Sequence, residues 1–324
     1  MGIYLGVDVG GSKTHALLVD EHGTILGFGE TGPGNHESVG YDGLINALQA
    51  TFQQASEKHN IQPNQITGAG FGIAGYDWPS EREDTLNAIT SLGLTCPLEV
   101  VNDAVLGLYA GSPQGWGVNL IAGTSNNCYG CDAQGNEGRV TGAGMLFGEN
   151  GGALEIVVKA VHAVNYQWIK RGPETQLSQR LMDITGTTSL AQLMESLVME
   201  KTPLHPAWAV HVLEIAAQGD PVAQSIMHWA GSELGELAKA VIRQLQFEQI
   251  SFDLVLSGSL FQKDSILFDP VKKSILALAP NTNLITLDVP PVSGAALLGM
   301  KAASIPTSAM FSTLRENIKA AFIH

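Results

Sequence analysis

Two glycine-rich turns are the segments of this chain best suited to hold a phosphate group. The first, Gly10-Gly11-Ser12-Lys13-Thr14, leaves one apolar segment and runs directly into another. The second, Gly123-Thr124-Ser125, repeats this arrangement. Glycine lacks a Cβ atom, so its backbone can turn sharply and present N–H groups to an anion. A Walker loop would open a helix instead. The pattern therefore predicts two β-hairpins that hold phosphates from opposite walls of a cleft.

Two aspartates lie where they could act on those phosphates. Asp8 directly precedes the first turn, where a carboxylate could hold a magnesium ion or its waters. Asp103 ends the apolar segment 98–103, predicted to be a buried strand, and begins a helix. A carboxylate there can accept the proton of an attacking hydroxyl during phosphoryl transfer. The alternative is that Asp103 only caps the helix, but the paired turns favour the catalytic interpretation.

Two polar loops carry groups that suit a polyhydroxyl ligand. Asn35-His36 lies in segment 31–38, and Glu149-Asn150 lies in segment 148–152. Amide and carboxylate groups bind adjacent hydroxyls as acceptors and donors; otherwise these segments are ordinary solvated loops. Cys128 and Cys131 do not suggest a metal site, because strand alternation places them on opposite faces and no further ligands complete a set.

The order of these segments predicts an α/β protein built from two similar units. A boundary is expected at 111–115, which divides the chain into 1–115 and 116–324. Residues 153–245 have mostly helical patterns and form insertions in the second unit. The last amphipathic helix is expected to cross back to the first unit. A chain of 324 residues is long enough for two cores.

Composition excludes several classes of partner. The 17 basic and 31 acidic residues give a formal net charge of −14. This charge argues against nucleic acid or an anionic membrane, since both require a basic face. No apolar run approaches the roughly 20 residues of a membrane helix. Three cysteines are too few for a disulfide framework, so a reducing cytoplasm is expected.

Taken together, these motifs resemble the N-acetylglucosamine kinase-like ATPases (the BadF/BadG/BcrA/BcrD type) of the actin–hexokinase superfold. The resemblance covers nearly the whole length of the chain. It rests on segments in the family's order: DVGGSKT, the Gly29–Asn35 segment, GFGIAGYD, VNDA, AGTSNNC, AAQGDPVA, SGSLF and SGAALLG. It implies two actin/hexokinase-like domains that face a nucleotide cleft.

The resemblance also implies an activity and its groups. The expected function is an ATP- and Mg²⁺-dependent kinase that phosphorylates a hydroxyl of N-acetylglucosamine or a related amino sugar or hexose, as a homodimer. Asp103 corresponds to the catalytic base, and Asp8 to the acidic residue near magnesium. The remaining groups are assigned by ligand. The phosphates are expected at Gly10, Gly11, Ser12, Lys13, Thr14, Gly123 and Thr124, the adenosine at Gly258 and Ser259, and the sugar at Asn35, His36, Gly75, Asp103, Ser125, Glu149 and Asn150.

The sugar loop departs from the family pattern. Where GGWG and GDEGS are usual, this chain has TGAG at 141–144 and GENGG at 148–152. Glu149 thus replaces an Asp, and Ala143 replaces a Trp. These changes leave glucosamine or N-acetylmuramic acid open as substrates. Two alternatives belong to other functional classes. An ATPase activator of a 2-hydroxyacyl-CoA dehydratase would need an iron–sulfur cluster, and a sugar sensor would bind without turnover.

Overall fold

A computed structural model describes residues 2–261 and 265–322. The first half of the chain forms five strands and three helices. These are β1 (Ile3–Val9), β2 (Thr14–Asp20), β3 (Ile25–Thr31), α1 (His36–Glu57), β4 (Gly68–Ile73), α2 (Arg82–Thr90), β5 (Leu98–Asn102) and α3 (Asp103–Gly111).

The second half repeats this order with extra helices. Its elements are β6 (Gly117–Ala122), β7 (Asn126–Cys131), β8 (Glu137–Arg139), α4 (Ala153–Trp168), α5 (Leu177–Thr185), α6 (Leu190–Val198), α7 (Ala209–Ala217), α8 (Pro221–Gln244), β9 (Phe252–Ser257), α9 (Phe268–Leu278), β10 (Thr282–Thr286), α10 (Val292–Ala302) and α11 (Ser308–Phe322).

The two sheets share one topology. The first has the order β3-β2-β1-β4-β5, and the second has the matching order β8-β7-β6-β9-β10. In each sheet the first three strands pair antiparallel and the last two join them in parallel. The hairpins β1–β2 and β6–β7 therefore occupy equivalent positions. This finding confirms the predicted duplication and the predicted fold class.

Two helices connect the halves by crossing over. Helix α3 packs on strands β6, β7 and β9 of the second sheet, whereas α10 packs on β1 and β4 of the first. The helices meet so closely that a β-carbon on Gly294 would lie 2.1 Å from the carbonyl oxygen of Leu106. A β-carbon on Gly6 would similarly lie 2.2 Å from the backbone nitrogen of Ala296. Small residues thus let the two helices and the first sheet approach backbone to backbone.

Helix α11 also packs on the first sheet. Its Leu314 and Ile318 are buried in one cluster with Tyr4, Leu17 and Val19 of β1 and β2. Within the described residues, none of the helices is long and apolar enough to cross a bilayer.

Strands β5 and β7 carry residues for which the sequence made specific predictions. Residues 98–102 form strand β5, as expected, but the prediction that this strand is buried is wrong. Strand β5 is the sheet edge, and its side chains are mostly half-buried. Cys128 and Cys131 lie in β7 and pack in different hydrophobic clusters, Cys128 with the helical layer and Cys131 with α3. They occupy opposite faces of the strand, as the alternation predicts.

Candidate active site

The first glycine-rich turn is tight and open to solvent. The backbone N–H of Gly10 donates to the carbonyl of Lys13 at 2.8 Å, and a β-carbon on Gly11 would meet nothing within 4 Å. Ser12 and Lys13 are exposed, although the Lys13 ammonium lies 2.8 Å from Glu30 on β3. Thr14 is fully buried, so its hydroxyl is not among the groups open at this turn.

The second turn is also closed by a backbone hydrogen bond, but over a span one residue shorter. Here the N–H of Gly123 donates to the carbonyl of Ser125 at 2.9 Å, and Thr124 and Ser125 are exposed. Strands β6 and β9 are parallel neighbours, so the turns that follow them lie at one edge of the sheet. Gly258, at φ +99°, packs so closely there that a β-carbon would lie 2.3 Å from the carbonyl oxygen of Ala122.

Ser259 is part of the same edge. Its hydroxyl would lie 3.8 Å from a β-carbon built on Gly123, so the predicted adenosine turn adjoins the second glycine-rich turn. Gly123 and Gly258 lie 135 residues apart in the sequence. The parallel pairing of β6 and β9 brings them together.

Asp8 and Asp103 form a pair of uncompensated carboxylates. Burial raises the pKa of Asp8 to about 7, and the nearby charge of Asp103 raises it further. Burial likewise raises the pKa of Asp103 to about 7, with a second contribution from the charge of Asp77. Across residues 2–261 and 265–322, neither Asp8 nor Asp103 forms an ion pair. Two neighbouring carboxylates without a cation favour binding of a positive charge between them.

The cap of helix α3 is supplied by Asn102 rather than by Asp103. The side chain of Asn102 accepts from the backbone N–H of Ala104 at 2.9 Å and donates to the carboxylate of Asp77, also at 2.9 Å. The structural role that competed with catalysis is therefore filled by the preceding residue. The Asp103 carboxylate remains available to a ligand.

The segment 31–38, the first of two segments predicted to bind the sugar, is hydrogen-bonded to the first turn. The N–H of Gly34 donates to the carbonyl of Gly10 at 3.1 Å, and Asn35 caps α1 by accepting from the N–H of Glu37 at 2.9 Å. Gly75, at φ +82°, leaves room for this loop, since a β-carbon there would lie 2.5 Å from the Asn35 side-chain oxygen. Asn35 and the end of β4 thus meet. The prediction that 31–38 is all loop is wrong, because Thr31 ends β3 and His36 begins α1.

His36 is nearly buried in the same place. Its ring stacks on Tyr41 with centroids 4.6 Å apart, and its Nε2 lies 3.7 Å from Glu81. A β-carbon on Gly75 would lie 3.1 Å from the His36 ring. The ring therefore has fixed neighbours on several sides.

The 139–152 loop holds Glu149 inside and turns Asn150 outward. Glu149 is only 7% exposed, and its Oε1 accepts from the N–H of Thr141 at 2.7 Å. Its Oε2 is buried without a hydrogen-bond partner among the described residues. The Asn150 amide instead donates to the Gly148 carbonyl and, at 3.3 Å, to Glu233 of α8. Glu149 and Asn150 thus contact different parts of the fold.

Two features of the cleft, the contacts of Arg139 and a neighbouring cavity, could not be predicted from the sequence. Arg139 of β8 donates to the backbone carbonyl of Asp77 and lies over the Trp78 ring, 5.0 Å from its centroid. A cavity of about 400 Å³ adjoins this contact, lined from both halves of the chain, among others by Tyr76, Asn102, Asn127 and Glu137. These residues are far apart in sequence, so only tertiary folding shows that they meet.

The donor set suits a magnesium ion held by few protein ligands. Magnesium prefers carboxylate oxygens and retains several waters, with the rest of its ligands supplied by phosphates. Asp8 supplies such an oxygen beside the first turn, and the described residues contain no cluster of three or more metal-ligating side chains. A site shared by Asp8, water and phosphate fits; an all-protein cage does not.

Comparison with known proteins places this geometry in context. The chain is 27% identical over 300 residues to an N-acetylmuramic acid/N-acetylglucosamine kinase of Clostridium acetobutylicum, covering 92% of this chain and 98% of the relative. It is 28% identical over 312 residues to an N-acetyl-D-glucosamine kinase of Dictyostelium discoideum, with the same two coverages.

The fold also matches a solved structure. A candidate N-acetylglucosamine kinase from Chromobacterium violaceum superposes with a TM-score of 0.69 at 20% identity, covering 92% of this chain and 99% of that one. At this identity the likeness concerns the fold alone. Residues 5–299 match the BadF/BadG/BcrA/BcrD ATPase family. With the duplicated hairpins and the match spanning both halves, this chain belongs to the BadF/BadG/BcrA/BcrD ATPase family.

Proposed function

We propose that this protein is an ATP-dependent kinase that transfers the γ-phosphate to a hydroxyl of N-acetylglucosamine or a related amino sugar. The observation that carries the proposal is the Asp103 carboxylate, which has no basic partner among the described residues and follows the Asn102 side chain that caps α3. The relatives named as amino-sugar kinases support the substrate class. One of them acts on N-acetylmuramic acid as well, which keeps that sugar among the candidates.

Asp103 would act as the general base. With a pKa of about 7, a large fraction of this carboxylate is ionised at neutral pH and can accept the proton of the sugar hydroxyl. The oxygen of that hydroxyl then attacks the γ-phosphorus. The bond between the γ-phosphorus and the oxygen that links it to the β-phosphate breaks. Exclusion of bulk water would keep water from replacing the sugar as acceptor.

The two turns would hold the nucleotide. Backbone N–H groups at Gly10–Ser12 and Gly123–Ser125 would donate to phosphate oxygens, and Gly258-Ser259 would lie beside the adenosine. Asp8 would hold magnesium directly or through water, and the ion would neutralise phosphate charge. The buried Thr14 and the Glu30-paired Lys13 offer less to the phosphates than the backbone does.

The remaining expected sugar contacts are Asn35, His36, Gly75, Ser125 and Glu149. Asn35, His36 and Gly75 lie together at the end of β4, and Glu149 retains one unpartnered oxygen. We assign Asn150 a supporting position, because its amide is bonded to α8. The homodimer and the cytoplasmic location expected from the sequence stay predictions.

A coupled ADP-release assay tests the proposal. The panel contains N-acetylglucosamine, N-acetylmuramic acid, glucosamine and glucose, each with MgATP. For the best sugar, Asp103→Asn should lower kcat by about 10²–10⁴-fold, the usual contribution of a general base. The matched control is Asp84→Asn on exposed α2, which should retain wild-type turnover. Full activity of Asp103→Asn would refute the mechanism, and no turnover with any sugar would refute the function.

A further inference from the structure

Glu155, in the first turn of α4, is a buried carboxylate that the proposed reaction does not use. It is 7% exposed, and its Oε2 has no hydrogen-bond partner within residues 2–261 and 265–322. Burial raises its pKa, and hydrogen bonding from the backbone N–H groups of Glu155 and Gly152 opposes that rise. Buried polar groups in folded proteins are normally hydrogen-bonded, and buried charges are normally paired. A carboxylate oxygen without a partner in such a position points to a missing ligand group.

The Glu155 carboxylate lies against the 144–152 loop, which belongs to the second segment predicted to bind the sugar. A β-carbon on Gly152 would be 2.7 Å from Glu155 Oε2, and the same point would be 3.2 Å from the backbone nitrogen of Asn126. A β-carbon on Gly144 would lie 3.8 Å from Glu155 Oε1. The carboxylate therefore occupies space that glycine leaves free between the 144–152 loop and the end of the second phosphate turn.

Other acceptors around the 144–152 loop also lack a donor. Asn126 Oδ1 and Glu149 Oε2 are buried without partners in the described part of the chain. The N–H groups of Gly152 and Glu155 act on the Glu155 carboxylate itself, and two further donors are used within the fold. The N–H of Thr141 donates to Glu149 Oε1, and the Asn126 amide donates to the backbone carbonyl of Glu149 at 3.2 Å. A ligand that satisfies these acceptors must bring hydrogen-bond donors.

We infer that Glu155, assisted by Asn126 Oδ1, recognises a protonated amino group on the sugar, so that the substrate is an unacetylated amino sugar. An ammonium group has three donors and no acceptor, and its positive charge would offset the buried carboxylate. N-acetylation removes that charge and adds a carbonyl that needs a donor. This inference rests on the proposed function and narrows its substrate class.

The test compares sugars that differ at one substituent. We would measure kcat/KM by ADP release for glucosamine, N-acetylglucosamine and glucose, with the wild type and with Glu155→Gln. The wild type should favour glucosamine over both others by about tenfold or more. Glu155→Gln should lower kcat/KM for glucosamine roughly 30-fold but change that for glucose less than about threefold, because only the amine loses a charged partner.

Glu236→Gln on the exposed face of α8 is the matched control and should leave all three values unchanged. Glu155→Asp keeps the charge but withdraws it by one methylene, so it should give a smaller fall in the same glucosamine-to-glucose ratio. If thermal unfolding shows that Glu155→Gln does not fold, the glucosamine-to-glucose ratio of Glu155→Asp is the test.

The inference is overturned if Glu155→Gln lowers kcat/KM for all three sugars alike, or if the wild type favours N-acetylglucosamine and the variant retains that preference. Turnover of glucose that depends on Asp103 but gives glucosamine no advantage would reject the inference and keep the kinase. Absence of turnover with every sugar would instead reject the kinase itself.

Discussion

Replacing Asp103 by Asn should lower kcat by about 10²–10⁴-fold and yet stabilise the fold, more at pH 8 than at pH 5. The physical reason is the raised pKa of this carboxyl, about 7 in the folded protein against an ordinary value of 3.8. At pH values between these two pKa values, Asp103 holds its proton more often in the folded state than in the unfolded state. Stability at this site is therefore highest at low pH and is lost as pH rises through 7.

The magnitude follows from the size of the shift. One pKa unit corresponds to about 1.4 kcal/mol, so the full shift between pH 5 and pH 8 would remove roughly 2–3 kcal/mol of unfolding free energy. The carboxylate is partly exposed, so solvent screening reduces the expected loss to about 1–2 kcal/mol. Asn cannot ionise and does not incur this loss. Removing the Asp103 charge should also lower the pKa of Asp8, which flattens the pH dependence further.

Urea denaturation followed by circular dichroism, at pH 5 and at pH 8, measures the effect. Asp132→Asn is the control with opposite sign, because hydrogen bonds from Asn136 lower the pKa of that exposed carboxyl. That carboxyl is ionised at both pH 5 and pH 8, so loss of its charge should weaken the turn equally at the two pH values. The reasoning fails if wild type and Asp103→Asn lose stability in parallel as pH rises, or if Asp103→Asn is the less stable protein at pH 8.

Two further changes test the environment of the site. Asp77→Asn should lower the pKa of Asp103 by removing a neighbouring negative charge, so the acidic limb of kcat/KM against pH should move to lower pH; an unmoved limb would mean that it reports another group. Gly258→Ala should raise KM for ATP about tenfold or more with little change in KM for the sugar, because the new β-carbon would collide with the carbonyl oxygen of Ala122. An unchanged KM for ATP would place this turn outside the nucleotide site.

The sequence alone determined the elements that depend on local rules. Strand alternation and glycine turns identified both hairpins, and their repetition predicted two sheets of one topology. Asn35 and His36 were expected in a polar loop, whereas Asn35 caps α1 and His36 begins it. Local patterns are informative here because turns and alternation depend mainly on neighbouring residues.

Burial and long-range proximity could not be obtained in this way. Strand β5 reads as a buried strand, but it forms the sheet edge, because sheet order depends on pairings between distant segments. The role of helix cap went to Asn102, one residue from the position considered for it. A single-residue choice of this kind is decided by backbone angles rather than by composition.

The chemistry of the cleft is likewise a tertiary property. Asp8 and Asp103 acquire raised pKa values only because folding buries both carboxyls and brings Asp103 near Asp8 and Asp77 near Asp103. Arg139 meets Asp77 across the two halves, and Glu155 Oε2 lacks a partner among the described residues because folding buries it against the 144–152 loop. A sequence states which groups can ionise, but their solvation and neighbours depend on packing between segments far apart in the chain.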